Sequence, residues 1–251
     1  MIVDGLSYEL AGAGDPVVFL HAGGMDARMW EAQVAAFAPA HTVIRCDLRG
    51  SGKSAPPRLP FSASDDVVAV LRHLGIDRAS IVGSSLGGRT AIDLAIEHPE
   101  LVDRLVLASS GLSGFQFSAD YQQAIVDVLG PLATGNEHGY VAAFLDSSLG
   151  PRAEEAQPLV ARMLLDNQSL FTGGAAFLQT VEPPAMERLA AIIAPTLVVA
   201  GEFDHPDIRA IASLLAAAIE NAREVVIPGA GHMANLDAPE EFNRVVLAFL
   251  S

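Results

Sequence analysis

The sequence predicts an α/β protein with a mainly parallel central sheet and helices on both faces of that sheet. Two observations lead to this fold class: short apolar runs that are typical of buried strands, and segments of helical periodicity that follow them. Strands that alternate with helices form parallel sheets with both faces covered. The chain has 251 residues, of which 51% are hydrophobic, so we expect one large domain with an insertion.

The composition of the chain argues against nucleic acid, membrane lipid and metal as partners. The formal net charge is −15 and no basic cluster is present to neutralise nucleic-acid or lipid phosphates. Cys46 is the only cysteine, so no intrachain disulfide and no thiol metal cluster is expected. The first residues form no basic and apolar leader, and no run reaches the ~20 apolar residues of a membrane span. We therefore expect a cytoplasmic protein without cofactor or metal, whose partner is a small molecule; a homo-oligomer stays open.

The first third of the chain contains three predicted strands and two predicted helices. Each helix begins at a residue that can accept a hydrogen bond from the first turn: Asp26 for one, and Ser62 or Ser64 for the other. Gly75 is predicted to end the second helix. The predicted strands are 2–10, 16–20 and 41–46, and the predicted helices are 26–37 and 62–74.

Residues 78–97 combine a short apolar strand, 80–83, with an amphipathic helix, 86–97, and a G-x-S-x-G pattern joins them. The pattern places Ser85 on the turn, where glycines let the neighbouring backbone pass close to a strained residue. At the start of a helix, unpaired N–H groups and the helix dipole face a developing negative charge. The segment predicts an exposed nucleophilic serine; the alternative is a Gly/Ser turn that only packs helix on strand.

Two glycine-containing loops precede this segment. Residues 21–24, His-Ala-Gly-Gly, leave backbone N–H groups free as an oxyanion-binding loop requires, although an ordinary strand-to-helix loop explains them equally well. The Gly-Lys-Ser run at 52–54 is similar to part of a phosphate-binding loop, but Asp47 occupies the position where that motif needs its first glycine. Nucleotide binding is therefore not predicted.

The second half of the chain returns to alternating strands and helices after a long helical interval. Residues 113–184 show helical periodicity, no clear strand and several glycine-containing breaks, including one at 173–174. They predict a helical cap inserted into a core domain that comprises 1–112 and 185–251. The remaining predicted elements are strands at 104–109, 196–200 and 224–227 and helices at 207–219 and 239–250.

Three reactive side chains follow predicted strands: Ser85, Asp204 and His232. In parallel sheets, functional groups gather at the carboxyl ends of the strands. A serine hydroxyl becomes nucleophilic when an imidazole accepts its proton, and a carboxylate fixes the imidazole tautomer and stabilises its cation. The three residues therefore predict a catalytic triad. Asp207 is the alternative acid or opens the next helix, and His205 is interpreted as a loop residue.

The order of these motifs resembles the α/β-hydrolase fold superfamily, and in particular its small serine hydrolases of esterase or lactonase type with a helical cap. The resemblance implies that the backbone N–H groups of Gly23 and Leu86 form the oxyanion hole. Its turn pattern favours Asp204 over Asp207 as the acid. The matching segments, which together span nearly the whole chain, are 21–23, 47–54, 83–88, 201–204 and 229–232.

The same resemblance implies cleavage of a small carboxylic ester or lactone through an acyl-enzyme. Ala22 and Ser84 differ from the residues that are common in the family, but neither difference removes a catalytic group. The triad would equally serve carbon–carbon bond hydrolysis or a lyase reaction like that of the menaquinone pathway, and fold analogy does not choose between them. A ligand-binding receptor with little turnover is the alternative from another class.

Two arginines are candidate contacts for a substrate anion. Arg89 lies four residues after Ser85 and thus on the same face of the predicted helix. A structural ion pair with Asp47 or Asp93 is the competing interpretation, because buried arginines are usually paired. Arg162, in the predicted cap, would either contact an anion or be solvated.

Overall fold

An eight-stranded sheet forms the centre of the molecule, for which a computed structural model describes residues 1–168, 171 and 177–251. The strands are β1 (Ile2–Val3), β2 (Leu6–Ala11), β3 (Asp15–Leu20), β4 (His41–Cys46), β5 (Ala79–Ser84), β6 (Val102–Ala108), β7 (Thr196–Gly201) and β8 (Ala222–Ile227). In space they follow the order β1-β2-β4-β3-β5-β6-β7-β8. Neighbours from β4 to β8 in this order are parallel. Strand β1 pairs antiparallel with β2, and β2 pairs antiparallel with β4. The predicted fold class is therefore confirmed.

Helices cover both faces of the sheet. They are α1 (Glu31–Phe37), α2 (Ala63–Leu74), α3 (Leu86–Glu97), α4 (Ala119–Ala133), α5 (Glu137–Ser148), α6 (Gln157–Asp166), α7 (Pro206–Ala218), α8 (Ala234–Asp237) and α9 (Pro239–Leu250). Alternate residues of one strand point to opposite faces. In β3, Val18 and Leu20 pack in the core that includes α2, α3 and α7. Val17 and Phe19 pack in the core that includes α1 and α9.

Local signals set where these helices begin and end. The Asp26 carboxylate accepts a first-turn N–H at 3.0 Å in a short helical turn that leads into α1. Ser62, rather than Ser64, caps α2 by accepting a first-turn N–H at 3.2 Å, and Gly75 ends that helix with φ of 67°. These caps agree with the sequence predictions for both helices.

The predicted single strand at 2–10 is wrong, because the segment forms two strands. Asp4 and Gly5, which lie between β1 and β2, both adopt positive φ, of 48° and 84°. That conformation turns the chain, so β1 folds back on β2 as an antiparallel pair. An Asp-Gly pair is itself a hairpin signal, and the single-strand prediction overlooked it.

The segment between β6 and β7 contains α4, α5 and α6, and its described residues add no strand to the sheet. The predicted break at 173–174 lies outside the described residues, and the role of the segment as a cap stays a prediction. Within the part of the chain that the structure describes, no helix is both long and apolar enough to cross a membrane. The polar contacts that attach the segment to the rest of the molecule include Ser118 to Asp207, Gly150 to Asp237, and Asn167 to Asp26.

Candidate active site

The turn at Ser85 has a strained backbone at the carboxyl end of β5. Ser85 adopts φ of 50° and ψ of −108°, a combination that residues other than glycine rarely take. Its N–H donates to the Ala108 carbonyl and its carbonyl accepts the Gly111 N–H, both at 3.0 Å. Strand β6 and the chain after it therefore fix the turn, and the half-buried Ser85 lines a cavity there.

Glycines beside Ser85 allow backbone to touch backbone. A Cβ on Gly87 would lie 2.1 Å from the carbonyl oxygen of Leu20, and a Cβ on Gly83 would lie 2.3 Å from that of Gly87. Both distances are well inside van der Waals contact. A larger residue at either position would push α3 away from β3 or β5, so these glycines set how closely the start of α3 approaches the sheet.

The loop after β3 borders the same cavity and is fixed by a buried histidine. Nε2 of His21 accepts the Leu48 N–H at 2.8 Å, which leaves Nδ1 as the donor to the Ala22 carbonyl, also at 2.8 Å. Burial lowers the pKa of His21 and so favours the neutral ring. Gly23 follows directly and lines the cavity together with Leu86, the first residue of α3.

Asp204 and His232 form a hydrogen-bonded pair in the wall of this cavity. Nδ1 of His232 donates to the two carboxylate oxygens of Asp204, at 3.0 and 3.2 Å. Burial works against the charge of Asp204, but the charge and hydrogen bond of His232 hold the pKa of this carboxyl below its usual value. Burial likewise disfavours the His232 cation, yet the Asp204 charge raises the pKa of His232. The pair thus stabilises a protonated imidazole.

A second carboxylate, Asp237, holds the loop that carries His232. Its Oδ2 accepts the N–H groups of Gly231 at 2.6 Å and Gly150 at 2.9 Å. The Ser148 carbonyl accepts the N–H of His232 at 2.9 Å. The histidine loop is therefore attached to the end of α5 and to the residues just beyond it. The sequence analysis does not identify Asp237.

The cavity has a volume of about 540 Å³. Ser85, Asp204 and His232 line it, and so do Gly23 and Leu86. An apolar cavity of this size with a few polar groups is typical of a site for a small organic ligand. Among the described residues, no group of three or more His, Cys, Asp or Glu side chains is arranged to hold a metal ion. The apolar residues of the wall include Ile125, Val128, Phe144, Phe171 and Leu178.

Comparison with known families decides what kind of protein carries this cavity. A family model described as the alpha/beta hydrolase fold matches residues 15–239. The chain belongs to the α/β-hydrolase fold family. The matched part of this α/β-hydrolase runs from the first residue of β3 to the first residue of α9, and it contains all the residues described above around the cavity.

Relatives of this α/β-hydrolase belong to several hydrolase classes. A protein of Azorhizobium caulinodans, provisionally assigned as the carbamate hydrolase RutD, is 29% identical over 97% of this chain and 94% of its own. The pimeloyl-[acyl-carrier protein] methyl ester esterase of Pectobacterium carotovorum is 29% identical over 97% of this chain and 98% of its own. The solved enol-lactonase of Burkholderia xenovorans has a TM-score of 0.81 at 26% identity, covering 98% of this chain and 96% of that one. These relatives indicate hydrolase activity.

The α/β-hydrolase brings Asp204, and not Asp207, to His232. Asp207 lies in the first turn of α7, where its Oδ2 accepts the N–H of Ser118 at 2.6 Å. Asp207 thus opens the helix, as one of the two interpretations of the sequence expects. It also connects α7 to the start of α4.

Of the two candidate arginines, Arg89 lines the cavity and Arg162 does not. Arg89 is half-buried, and its side chain forms no hydrogen bond or close ion pair with another described residue. An ion pair with Asp47 is wrong, since Asp47 accepts backbone N–H groups from two loops instead. Asp93 interacts with Arg89 through longer-range electrostatics only. Arg162 is exposed on α6 and does not contribute to the described cavity wall, so the structure does not support it as a substrate contact.

The sequence analysis does not identify Tyr121 and gives His205 no place in a site, although both residues line the cavity. His205 lies in the loop before α7, as predicted, and its Nδ1 also caps that helix by accepting the Asp207 N–H at 3.2 Å. The neutral ring therefore carries its proton on Nε2.

Tyr121 of α4 contacts the His205 ring edge-on, with ring centroids 4.9 Å apart. Burial, together with the charges of Asp204 and Asp207, raises the pKa of Tyr121 to about 12, so its hydroxyl stays protonated at neutral pH. Contacts between distant segments give no local sequence signal.

Proposed function

We propose that this α/β-hydrolase is a serine hydrolase that cleaves a small carboxylic ester or lactone through an acyl-enzyme. The observation that carries the proposal is the His232–Asp204 hydrogen bond of 3.0 Å in the wall of the cavity that Ser85 also lines. A serine at a helix start, together with a hydrogen-bonded histidine and aspartate, meets the needs of nucleophilic acyl transfer. Relatives named as an esterase and an enol-lactonase support the substrate class.

The proposed reaction has two halves. Ser85 Oγ attacks the carbonyl carbon while Nε2 of His232 accepts its proton, and the N–H groups of Gly23 and Leu86 stabilise the oxyanion. Protonated His232 then donates to the leaving oxygen as the C–O bond breaks, which gives the acyl-enzyme. In the second half, water loses a proton to His232 and attacks the acyl carbon, and Ser85 leaves with that proton. Asp204 stabilises the imidazolium in both halves.

The cavity wall indicates the kind of substrate. Ile125 and Phe144 are among the apolar residues that would contact a hydrophobic acyl or alcohol group. Arg89 supports a substrate that also carries a carboxylate, because a guanidinium without a close ion pair among the described residues is available to an anion. In this proposal residues 113–184 act as the cap, since α4 and α5 supply Tyr121, Ile125 and Phe144 to the wall.

Labelling with a fluorophosphonate probe tests the nucleophile. We expect modification of the wild type at Ser85, located by peptide mass spectrometry, and no labelling of Ser85→Ala. Ser147→Ala is the matched control, because Ser147 lines the same cavity but its Oγ donates to the Phe144 carbonyl at 3.2 Å. Labelling of Ser85→Ala at the wild-type rate would rule out the proposal, and an unlabelled wild type would favour the receptor interpretation.

A substrate panel then tests the bond that is cleaved. p-Nitrophenyl esters and lactones of increasing chain length, with and without a carboxylate, are expected to be hydrolysed. A 1,5-diketone that turns over faster than every ester would replace ester cleavage by carbon–carbon bond hydrolysis. Product formation without incorporation of ¹⁸O from labelled water would favour a lyase reaction.

A further inference from the structure

A second cavity, of about 260 Å³, lies next to the candidate active site. Its wall comes from the start of α2, the end of α3 and residues 179–182. Thr180 lines both cavities, so the two are immediate neighbours. The second cavity is acidic: the carboxylates that border it are Asp65, Asp93, Glu97 and Glu182, beside a single histidine, His98.

Asp93 is the buried carboxylate of this cavity, and among the described residues it has no close partner. Its residue is 6% exposed, its side chain forms no hydrogen bond or close ion pair with a described residue, and its buried Oδ1 is unsatisfied. Burying a carboxylate without a partner is strongly unfavourable. Burial raises the pKa of Asp93 to about 6, although Arg89 and Arg188 lower it. A cation beside Asp93 would lower this pKa and stabilise the ionised carboxylate.

The other three acids of the wall are exposed, and two of them have charged or ionisable partners. Glu97 forms an ion pair with Arg188, and Asp65 faces Nε2 of His98 at 3.5 Å. Glu182 is exposed at the edge of the cavity. The Asp93 carboxylate thus lacks a positively charged group that donates hydrogen bonds to it.

We propose that this cavity binds a small organic ammonium ion through the Asp93 carboxylate. The cavity volume of about 260 Å³ is sufficient for a ligand of several heavy atoms. Ammonium N–H groups would donate to the Asp93 carboxylate where it borders the cavity, and the acidic wall selects positive charge. An ammonium ion also fits better than a metal ion, because the described residues contain no cluster of three metal-binding side chains.

Helix α3 connects the two cavities. Ser85, Arg89, Asp93 and Glu97 follow each other at intervals of four residues and therefore form one stripe along the helix. The first two line the candidate active site and the last two line the acidic cavity. A cation bound at Asp93 neutralises the charge that lies one turn from Arg89. The two cavities are thereby linked electrostatically.

Isothermal titration of the full chain with n-butylammonium chloride, in buffer of constant ionic strength, tests the proposal. We expect saturable binding at one site per chain and at least about tenfold weaker binding to Asp93→Asn, which keeps the shape of the side chain and removes its charge. Glu154→Gln is the matched control: it removes one charge from an exposed position outside the cavity and is expected to bind like the wild type.

The proposal is overturned if the wild type shows no saturable binding, or if Asp93→Asn and wild type bind equally. Should Asp93→Asn fail to give the wild-type circular dichroism spectrum, Glu182→Gln at the edge of the cavity is expected to weaken binding about threefold, and unchanged affinity there would contradict the site. Mg²⁺ or Ca²⁺ that displaces butylammonium would assign the cavity to a metal ion instead. Binding to Ser85→Ala is expected to be unchanged, so the outcome is independent of the proposed hydrolysis.

Discussion

Helices α3 and α4 both line the candidate active site, and they are packed in opposite ways. Helix α3 buries nine of its twelve residues, with backbone contacts that leave no room for a Cβ at Gly87. Helix α4 is longer, with fifteen residues, and buries Val128 alone. The turn that carries Ser85 is thus fixed by tight packing, whereas the wall that would contact the variable part of a substrate is more exposed. We therefore expect substitutions near the turn to affect rate and stability, and substitutions on α4 to affect selectivity.

The largest expected effect comes from the residues proposed for the chemistry. His232→Ala is expected to lower kcat by roughly 10⁴- to 10⁶-fold, because in the proposed reaction His232 accepts the serine proton. Steady-state hydrolysis of the best substrate in the panel measures this loss, with circular dichroism as the check on folding. A loss below about tenfold would mean that His232 is not the base.

A change of packing alone is expected to have the next largest effect. Gly87→Ala is expected to lower the free energy of unfolding by about 3 kcal/mol, since its Cβ would lie 2.1 Å from the Leu20 carbonyl oxygen. Gly75→Ala is the control: Gly75 has φ of 67° but no atom within 4 Å of a Cβ, so only backbone strain of about 1 kcal/mol is expected. Urea unfolding compares the two, and equal losses would contradict the importance of the backbone contact.

The more exposed wall is expected to respond in selectivity rather than in rate or stability. Ile125 lines the cavity and is 41% exposed, so Ile125→Ala is expected to reduce the preference for long over short acyl chains about tenfold. The adjacent Val126 is 59% exposed and does not line the cavity, which makes Val126→Ala the control. The ratio of kcat/KM for long-chain esters to kcat/KM for short-chain esters measures this preference. A uniform loss for all chain lengths would argue against a role in selectivity.

The smallest expected effect is a shift in the pH profile. Hydrolysis needs neutral His232, so kcat/KM is expected to rise with pH through the pKa of His232, which the Asp204 charge holds above its ordinary value. Asp204→Asn removes that charge and is expected to move the acidic limb to lower pH, besides slowing the reaction. A limb that stays in place would show that another group controls it.

The sequence predicts regular elements well where strong local signals bound them. Strand β4 and helices α3 and α9 have the predicted bounds, because glycine, proline or charged residues mark their ends. The polar residues after β5, β7 and β8 could also be identified, since parallel strands place such residues at one edge. A local pattern is sufficient for both kinds of prediction.

The parts that sequence alone could not give depend on contacts between distant segments. Asp237 accepts N–H groups from two loops, and the His205 ring contacts that of Tyr121, but neither contact produces a periodic pattern in the sequence. The predicted ion pair between Arg89 and Asp47 is wrong for a related reason. The oxygens of Asp47 are occupied by backbone N–H groups, and which loop folds over a carboxylate is decided by the three-dimensional arrangement.

The contact between Gly87 and the Leu20 carbonyl also defines where this protein can be diversified in laboratory evolution. A randomised library at residues 83–88 would consist mostly of unfolded variants, because a side chain at Gly83 or Gly87 collides with backbone that cannot move aside. In a library on α4, most of the substituted side chains would face solvent or the cavity, since that helix buries Val128 alone. New specificities are therefore best sought on α4, with the turn at Ser85 left unchanged.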